Sequence, residues 1–416
     1  MMRAFDRAVR YAAPLLAGLV AVSCGGGGNT ITGGGSGGGS GGGPVPAAAN
    51  VVSVVVGPGP TNTGINTLYT TVTVCVPGST TACQTIDNIQ VDTGSYGLRL
   101  LAPVLTLSLV PISASSGTSL LECTGFVDGF SWGPIALVDV QISGESAGSV
   151  PVQLIGDSRF PAVPSDCSGI GPPENTVAQF GANGILGVGF LPMDCGTLCA
   201  GAAVPTSYYA CTAAGVCNAT AVPVTSQVAN PVTRFATDNN GTIISLSSAA
   251  AGGAASVAGS LIFGIDTQSN NQSSGTQTVL TVDANESDPN FGNFTTVFNG
   301  QTLAASFIDS GSNGYFFTDS SLPACPGSNS EFYCPSSTQT FSATLQGLSG
   351  SSTSVNFTVG NLNNLTGGIA AYPSLAGTTP ISNSFDWGLP FFFGRKVTTA
   401  ISGYTTSAGT GPYVAF

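Results

Sequence analysis

Past residue 50 the chain alternates apolar and polar residues in short runs, the two-residue period of strands half-buried in a sheet. Val51 to Val56, Leu68 to Cys75 and the segment running into Asp92 read as three successive strands, with Pro77-Gly78 as the turn between the second and third. Leu98 to Leu109 is largely apolar and reads as either a strand pair or a packed loop. Cys123 to Ile142 has two alternating arms around Gly-rich turn chemistry, which predicts a long hairpin carrying Phe126 and Trp132. Val150 to Ile155 and the glycine-bearing run Asn183 to Phe190 are further strand candidates. After a Cys-rich loop region from Cys195 to Cys217, strands are expected at Gly259 to Asp266, Thr276 to Val282, Asn293 to Phe298 and Leu303 to Ile308, the last leading into Asp309. The chain closes on two apolar stretches, Phe391 to Lys396 and Tyr413 to Phe416, read as buried strands. The fold class expected is all-β.

Composition agrees, because charged residues make up only 7% of the chain while Gly, Ser and Thr dominate, a poor mixture for helices. At 416 residues there is room for two lobes after an N-terminal leader. Arg3, Arg7 and Arg10 precede an apolar run, Tyr11 to Val22, that is too short to span a bilayer and has the layout of a secretory signal. It ends in Ala21-Val22-Ser23-Cys24, which resembles a bacterial lipobox, so Cys24 is the expected lipidation site and residues 1–24 the expected signal segment. Residues 25–46 are then mostly Gly and Ser, a tether that would hold a folded body off a membrane surface. Eleven cysteines less Cys24 leave an even set of ten, as expected of disulfides in an exported chain. Cys75 with Cys83 and Cys325 with Cys334 are local pairs; connectivity among Cys123, Cys167, Cys195, Cys199, Cys211 and Cys217 stays open.

Charge and residue inventory exclude several chemistries. A net charge of −12, with three of the eight basic residues in the leader, offers no basic footprint for nucleic acid. The chain has no histidine, which rules out Ser-His-Asp and Cys-His mechanisms and the usual zinc ligand sets. Asp283, Glu286 and Asp288 fit no EF-hand spacing and read as a solvated turn, so no metal is expected.

What remains is a repeated carboxylate turn. Asn88-Ile-Gln-Val-Asp92-Thr93-Gly94-Ser95 and Ala304-Ala-Ser-Phe-Ile-Asp309-Ser310-Gly311-Ser312 each run from a strand into Asp, a small hydroxyl residue, Gly and Ser. One such tetrapeptide in a chain this rich in Gly and Ser is an ordinary turn. Two copies, each followed by a second glycine segment, Gly184-Ile-Leu-Gly187 and Asp386-Trp-Gly388, are a constellation. Two Asp side chains brought within about 3 Å cannot both ionise comfortably, so the pair holds one proton and offers a general acid and a general base with no cofactor.

These residues resemble the pepsin-like aspartic peptidases over roughly residues 66–416, and Gly259 to Asp266 is similar to the strand that opens that family's second lobe. The resemblance implies a bilobal fold with a central cleft, an N-terminal lobe at 47–225 carrying Asp92 and a C-terminal lobe at 226–416 carrying Asp309. It implies catalytic roles for Asp92 and Asp309, support from Thr93, Gly94, Ser95, Ser310, Gly311 and Ser312, and a covering flap formed by the hairpin of Phe126 and Trp132. Phe126 stands where the family's flap tyrosine is found, Gln90 replaces an apolar residue, and Gly97-Leu-Arg99 departs from the family's usual continuation. Asn230-Pro-Val232 and Asp238-Asn-Asn-Gly241 are similar to marks of an uncharacterised family of bacterial exported proteins. The expectation is a monomeric, lipid-anchored endopeptidase of the cell envelope acting on a peptide or protein; the alternative is a non-catalytic surface lipoprotein of the same fold that binds a peptide or wall component.

Overall fold

Strands from both halves of the chain join in one large sheet. The structure is a computed structural model and describes residues 48–115 and 117–416. The expected lipidation site at Cys24 and the whole of the expected Gly/Ser tether at 25–46 therefore lie outside the described residues. The protein is mostly β, with one sixteen-stranded sheet, one seven-stranded sheet and a two-stranded ribbon among the described residues.

The larger sheet is continuous through Val51–Gly57, whose strand pairs with Thr67–Cys75 on one side and Val257–Phe263 on the other. From there it runs in one direction through Cys83–Asp92, Gly184–Val188 and Tyr96–Leu101 to the long hairpin. In the other direction it runs through Gly241–Leu246 and Lys396–Ala400 to Tyr413–Ala415. The hairpin's arms are Thr118–Gly125 and Phe130–Ile142, paired with Cys123 opposite Trp132. The second sheet is built wholly from the later part of the chain and holds Phe294–Phe298, Gln301–Ile308, Tyr315–Phe316 and Asp386–Trp387.

The main hydrophobic cluster draws on both halves, from Val54 and Val56 to Val397 and Val414. Ten cysteines form five disulfides: the two expected local pairs, together with Cys123–Cys167, Cys195–Cys199 and Cys211–Cys217. The Cys75–Cys83 bridge closes the hairpin that ends at Asp92, joining residues directly opposite each other in the sheet.

Two expectations are corrected. Leu98 to Leu109 is one strand, Tyr96–Leu101, followed by a single 3-10 turn at Ala102–Val104 that a proline initiates. The aromatic run at Phe391 is buried as expected, but Leu389–Phe392 is a 3-10 helix and the strand starts only at Lys396. Pro390 fixes a helical φ and withholds a ladder donor, which outweighs the strand preference of three phenylalanines.

Candidate active site

Each Asp turn sits at the end of a strand braced by a second, parallel strand. Cys83–Asp92 lies alongside Gly184–Val188 with Asp92 opposite Gly187. Gln301–Ile308 lies alongside Asp386–Trp387 with Ile308 opposite Trp387, and the Asp309 N–H donates to the Trp387 carbonyl at 3.1 Å. Both bracing glycines are required by space. A Cβ on Gly187 would stand 2.6 Å from the Tyr96 nitrogen, and one on Gly388 would meet the Ser312 carbonyl oxygen at 2.6 Å and press on the Gly314 carbonyl.

The two turns interlock. The Thr93 N–H donates to Ser310 Oγ at 3.1 Å and the Ser310 N–H donates to Thr93 Oγ1 at 2.9 Å. Ser310 Oγ in turn donates to the Val91 carbonyl at 2.9 Å, while Gln90 Nε2 reaches the Gly311 carbonyl at 3.2 Å. A Cβ on Gly94 would stand 2.6 Å from Asp309 Cγ, and one on Gly311 would run into the Asp92 carboxyl. Each carboxyl is thus seated over the other turn's glycine, and glycine is needed there for room, since neither adopts a left-handed φ.

Both Asp side chains are fully buried, each against the glycine of the other's turn. Burial pushes the Asp309 carboxyl well above the usual carboxylate range, with further contributions from the charges of Asp92 and Asp386. The Gly311 N–H donates to Asp309 Oδ1 at 2.7 Å and Ser312 Oγ donates to Oδ2 at 2.9 Å. On the other side, the Gly94 N–H donates to Asp92 Oδ1 at 2.7 Å, but Asp92 Oδ2 receives no amide or hydroxyl hydrogen bond and Ser95 Oγ is buried without a partner. The four hydroxyl residues expected to support the pair do so unequally. Ser312 orients a carboxyl, Thr93 and Ser310 instead lock turn to turn, and Ser95 does neither, its hydroxyl lying against Gly187.

Two residues that sequence reasoning passed over shape this centre. Asp386, which opens the glycine segment of the second half, is a third buried carboxyl whose charge acts on Asp309. The sequence carries the signal: an acid in the position where the first half has Ile185. Arg99 is 2% exposed and pairs through Nη2 with Glu122 Oε1 at 2.6 Å and Asp194 Oδ2 at 3.0 Å. Its Nη1 donates to the Tyr96 carbonyl at 2.6 Å and its Nε to Thr124 Oγ1 at 3.1 Å, so the guanidinium ties the chain just after the Asp92 turn to the hairpin. Burial opposes charge on Glu122, but Arg99 and hydrogen bonds hold this carboxyl below its usual range. Burial, followed by the Glu122 charge, pushes Asp194 well above.

The hairpin aromatics pack in separate places. Phe126 is buried with Tyr69, Leu101, Ile185 and Phe180, meeting the last edge-on at 5.9 Å. Trp132 is buried beside the Cys123–Cys167 bridge, its ring 5.5 Å from Tyr209 and its Nε1 donating to the Phe160 carbonyl at 3.1 Å.

No curated protein matches the chain. A family model matches residues 46–416, covering both turns and their braces, and the chain therefore belongs to the family described as "Protein of unknown function (DUF3443)".

Proposed function

We propose that the protein is an aspartic endopeptidase of the pepsin-like type, with a bilobal fold, a cleft between lobes at 47–225 and 226–416, and Asp92 and Asp309 as its catalytic pair. The observation that carries this reading is the reciprocal seating of two buried carboxyls over each other's Gly turn, with cross-linking hydrogen bonds between Thr93 and Ser310. In that arrangement one proton is shared by the pair. Asp309, held in its acid form by burial, takes the acid role, and Asp92 takes the base role. A water positioned between them attacks the peptide carbonyl carbon, passing its proton to Asp92 while Asp309 donates its own to the carbonyl oxygen. The gem-diol intermediate collapses as the C–N bond breaks: Asp92 gives the proton it took from water to the leaving amine, and Asp309 takes back a proton from one diol hydroxyl, which leaves the carboxylic acid product and restores the shared-proton pair. No cofactor enters this scheme.

The leader, the lipidated Cys24 and the Gly/Ser tether complete the proposal: a monomer anchored at the cell envelope and acting on exported peptides or proteins. Mass spectrometry of the exported protein showing an unmodified Cys24 would remove the anchor. The second reading, a non-catalytic binder of a peptide or wall component, is favoured by one observation: both carboxyls are fully buried in this conformation.

Cleavage of a mixed peptide library from acidic to neutral pH separates the two. The peptidase reading expects cuts under acid conditions that a transition-state-mimicking inhibitor blocks. Folded protein that cuts nothing at any pH and ignores the inhibitor would leave the binding role as the better account.

A further inference from the structure

The register of the two braces places one residue of each half in the same rung. Gln90 stands beside Ile185, which has Arg99 on its other side; Phe307 stands beside Asp386, which has Phe316 on its other side. Ile185 is an apolar side chain packed in a cluster with Phe126 and Phe180. Asp386, its counterpart, is a fully buried carboxyl whose two oxygens lack any well-formed hydrogen bond. Since an aliphatic side chain fills this rung in the other half, fold alone does not account for an acid here, and an unsatisfied buried carboxyl is costly.

The neighbours of Asp386 define what it can do. The Ser312 hydroxyl is close enough to favour its charged form, yet that hydroxyl's single proton is committed to Asp309 Oδ2 at 2.9 Å. Ser312 Oγ still has lone pairs to accept a proton donor, and the neutral acid of Asp386 is such a donor. We propose that Asp386 is a third carboxyl of the site, a positioning residue that donates its O–H to Ser312 Oγ and so holds the Ser312 hydroxyl on Asp309.

Burial keeps Asp386 in the form this role needs, well above the usual carboxyl range; Ser312 works against that shift and the Asp92 charge adds to it. The titratable groups packed around it are Asp92 from the first Asp strand, Asp309 from the second, and Tyr315 on the adjoining strand, whose phenol burial holds neutral. None supplies a cation that would draw the proton off. The result is an ordered chain, Asp386 to Ser312 to Asp309, which the first half lacks, because Ser95 Oγ has no partner and Ile185 no proton to give.

The kinetic arm of the test rests on the acid-peptidase reading, whereas the spectroscopic arm does not. Full-length wild type, Asp386→Asn, Asp386→Ile and Ser312→Ala are compared. Asn keeps the shape and an N–H donor, and Ile copies the other half. Wild-type-minus-variant infrared spectra at neutral pH should show one protonated-carboxyl C=O band, over and above those of Asp309 and Asp194, that Asp386→Asn and Asp386→Ile lose and Ser312→Ala keeps. Turnover of Asp386→Asn should stay within about threefold of wild type, while Asp386→Ile and Ser312→Ala should each lose about tenfold or more in kcat with KM nearly unchanged. A band that persists in both Asp386 variants, or an Asp386→Ile protein with wild-type kcat, overturns the proposal. If Asp386→Ile does not fold, Ser312→Ala carries the kinetic test, and wild-type turnover there overturns it equally. If wild type cleaves no peptide, the peptidase reading fails and the band alone decides: its loss in Asp386→Asn supports a protonated Asp386, and its persistence refutes one.

Discussion

The Asp92 and Asp309 turns share one local sequence pattern and one strand geometry, yet their surroundings differ in kind. Behind Asp92 the core is aliphatic, with Val91, Leu98 and Leu186 at the centre and a buried Arg99 network tying the turn's exit to the hairpin. Behind Asp309 it is aromatic. Trp387 stacks on Phe385 at 4.2 Å, Phe385 on Phe317 at 4.7 Å, and Trp387 Nε1 donates to Thr296 Oγ1 at 3.0 Å. Asp309 receives a hydroxyl and an amide hydrogen bond, while Asp92 receives the amide alone. A pair of carboxyls in identical settings would have no fixed acid and base; in the proposed peptidase, unequal donors and unequal neighbours are what would give each its role.

The comparison is broken most severely by removing either carboxyl's charge. Asp92→Asn and Asp309→Asn should each lower kcat by about a thousandfold or more, as expected for losing a general acid or base, with the melting temperature little changed. Assays of peptide cleavage alongside circular dichroism melts check this. Equal loss in both is required, since each half supplies one member of a single unit.

Arg99→Met should come next. It strands Glu122 and Asp194 as buried acids without their cation, a loss of about 3–5 kcal/mol in urea unfolding. The equivalent rung in the other half holds Phe316, so Phe316→Leu should cost less, as an ordinary core truncation would.

Gly94→Ala and Gly311→Ala drive a methyl into the facing carboxyl, and each should cost about 1–3 kcal/mol and most of the activity. Stability and cleavage measured on the same samples test this. Retained activity with an unaltered inhibitor affinity would show that the carboxyls are not seated as described.

The finest contrast is between the two serines. Ser312→Ala removes a hydrogen bond onto Asp309, while Ser95→Ala removes a hydroxyl that makes none and should shift stability by less than about 0.5 kcal/mol. The pH dependence sharpens the same point. Asp386 binds its proton more tightly folded than unfolded, so its contribution to stability is complete below the ordinary carboxyl range near pH 4 and is lost as pH rises. Glu145, pushed up to about 7 by burial and by Asp238, acts in the same direction over pH 4.5 to 7 in wild type and in Asp386→Asn alike. The melting temperature of Asp386→Asn relative to wild type should therefore climb with pH, a difference that isolates Asp386 from the other acids.

Much of this arrangement was legible in the sequence. Alternation marked the strands leading to Asp92 and Asp309 because each is half-buried in a sheet, and the repeated Asp-hydroxyl-Gly-Ser turn marked the pair. Short cysteine spacings gave two disulfides. Cys195–Cys199 and Cys211–Cys217 are just as local, at separations of 4 and 6, but six cysteines stood open together because Cys123 and Cys167, 44 residues apart, meet only through the hairpin's packing on the Ser165–Ser168 helix. Asp386 was read past because its apolar neighbours define the segment, and only register places its carboxyl beside Asp309. Arg99 looked like a departure from a pattern; its partners are 23 and 95 residues away, on elements that only the fold brings together. At Phe391 the strand preference of three aromatics yields to one proline.

The central claim is that Asp92 and Asp309 form one proton-sharing unit. Calorimetric titration with a transition-state-mimicking aspartic peptidase inhibitor at acid pH tests it most directly. The account predicts one inhibitor bound per chain, binding that weakens as pH rises and the shared proton is lost, and no binding to Asp92→Asn or Asp309→Asn. Absence of binding to the folded wild-type protein, or equal binding to either variant, would contradict it.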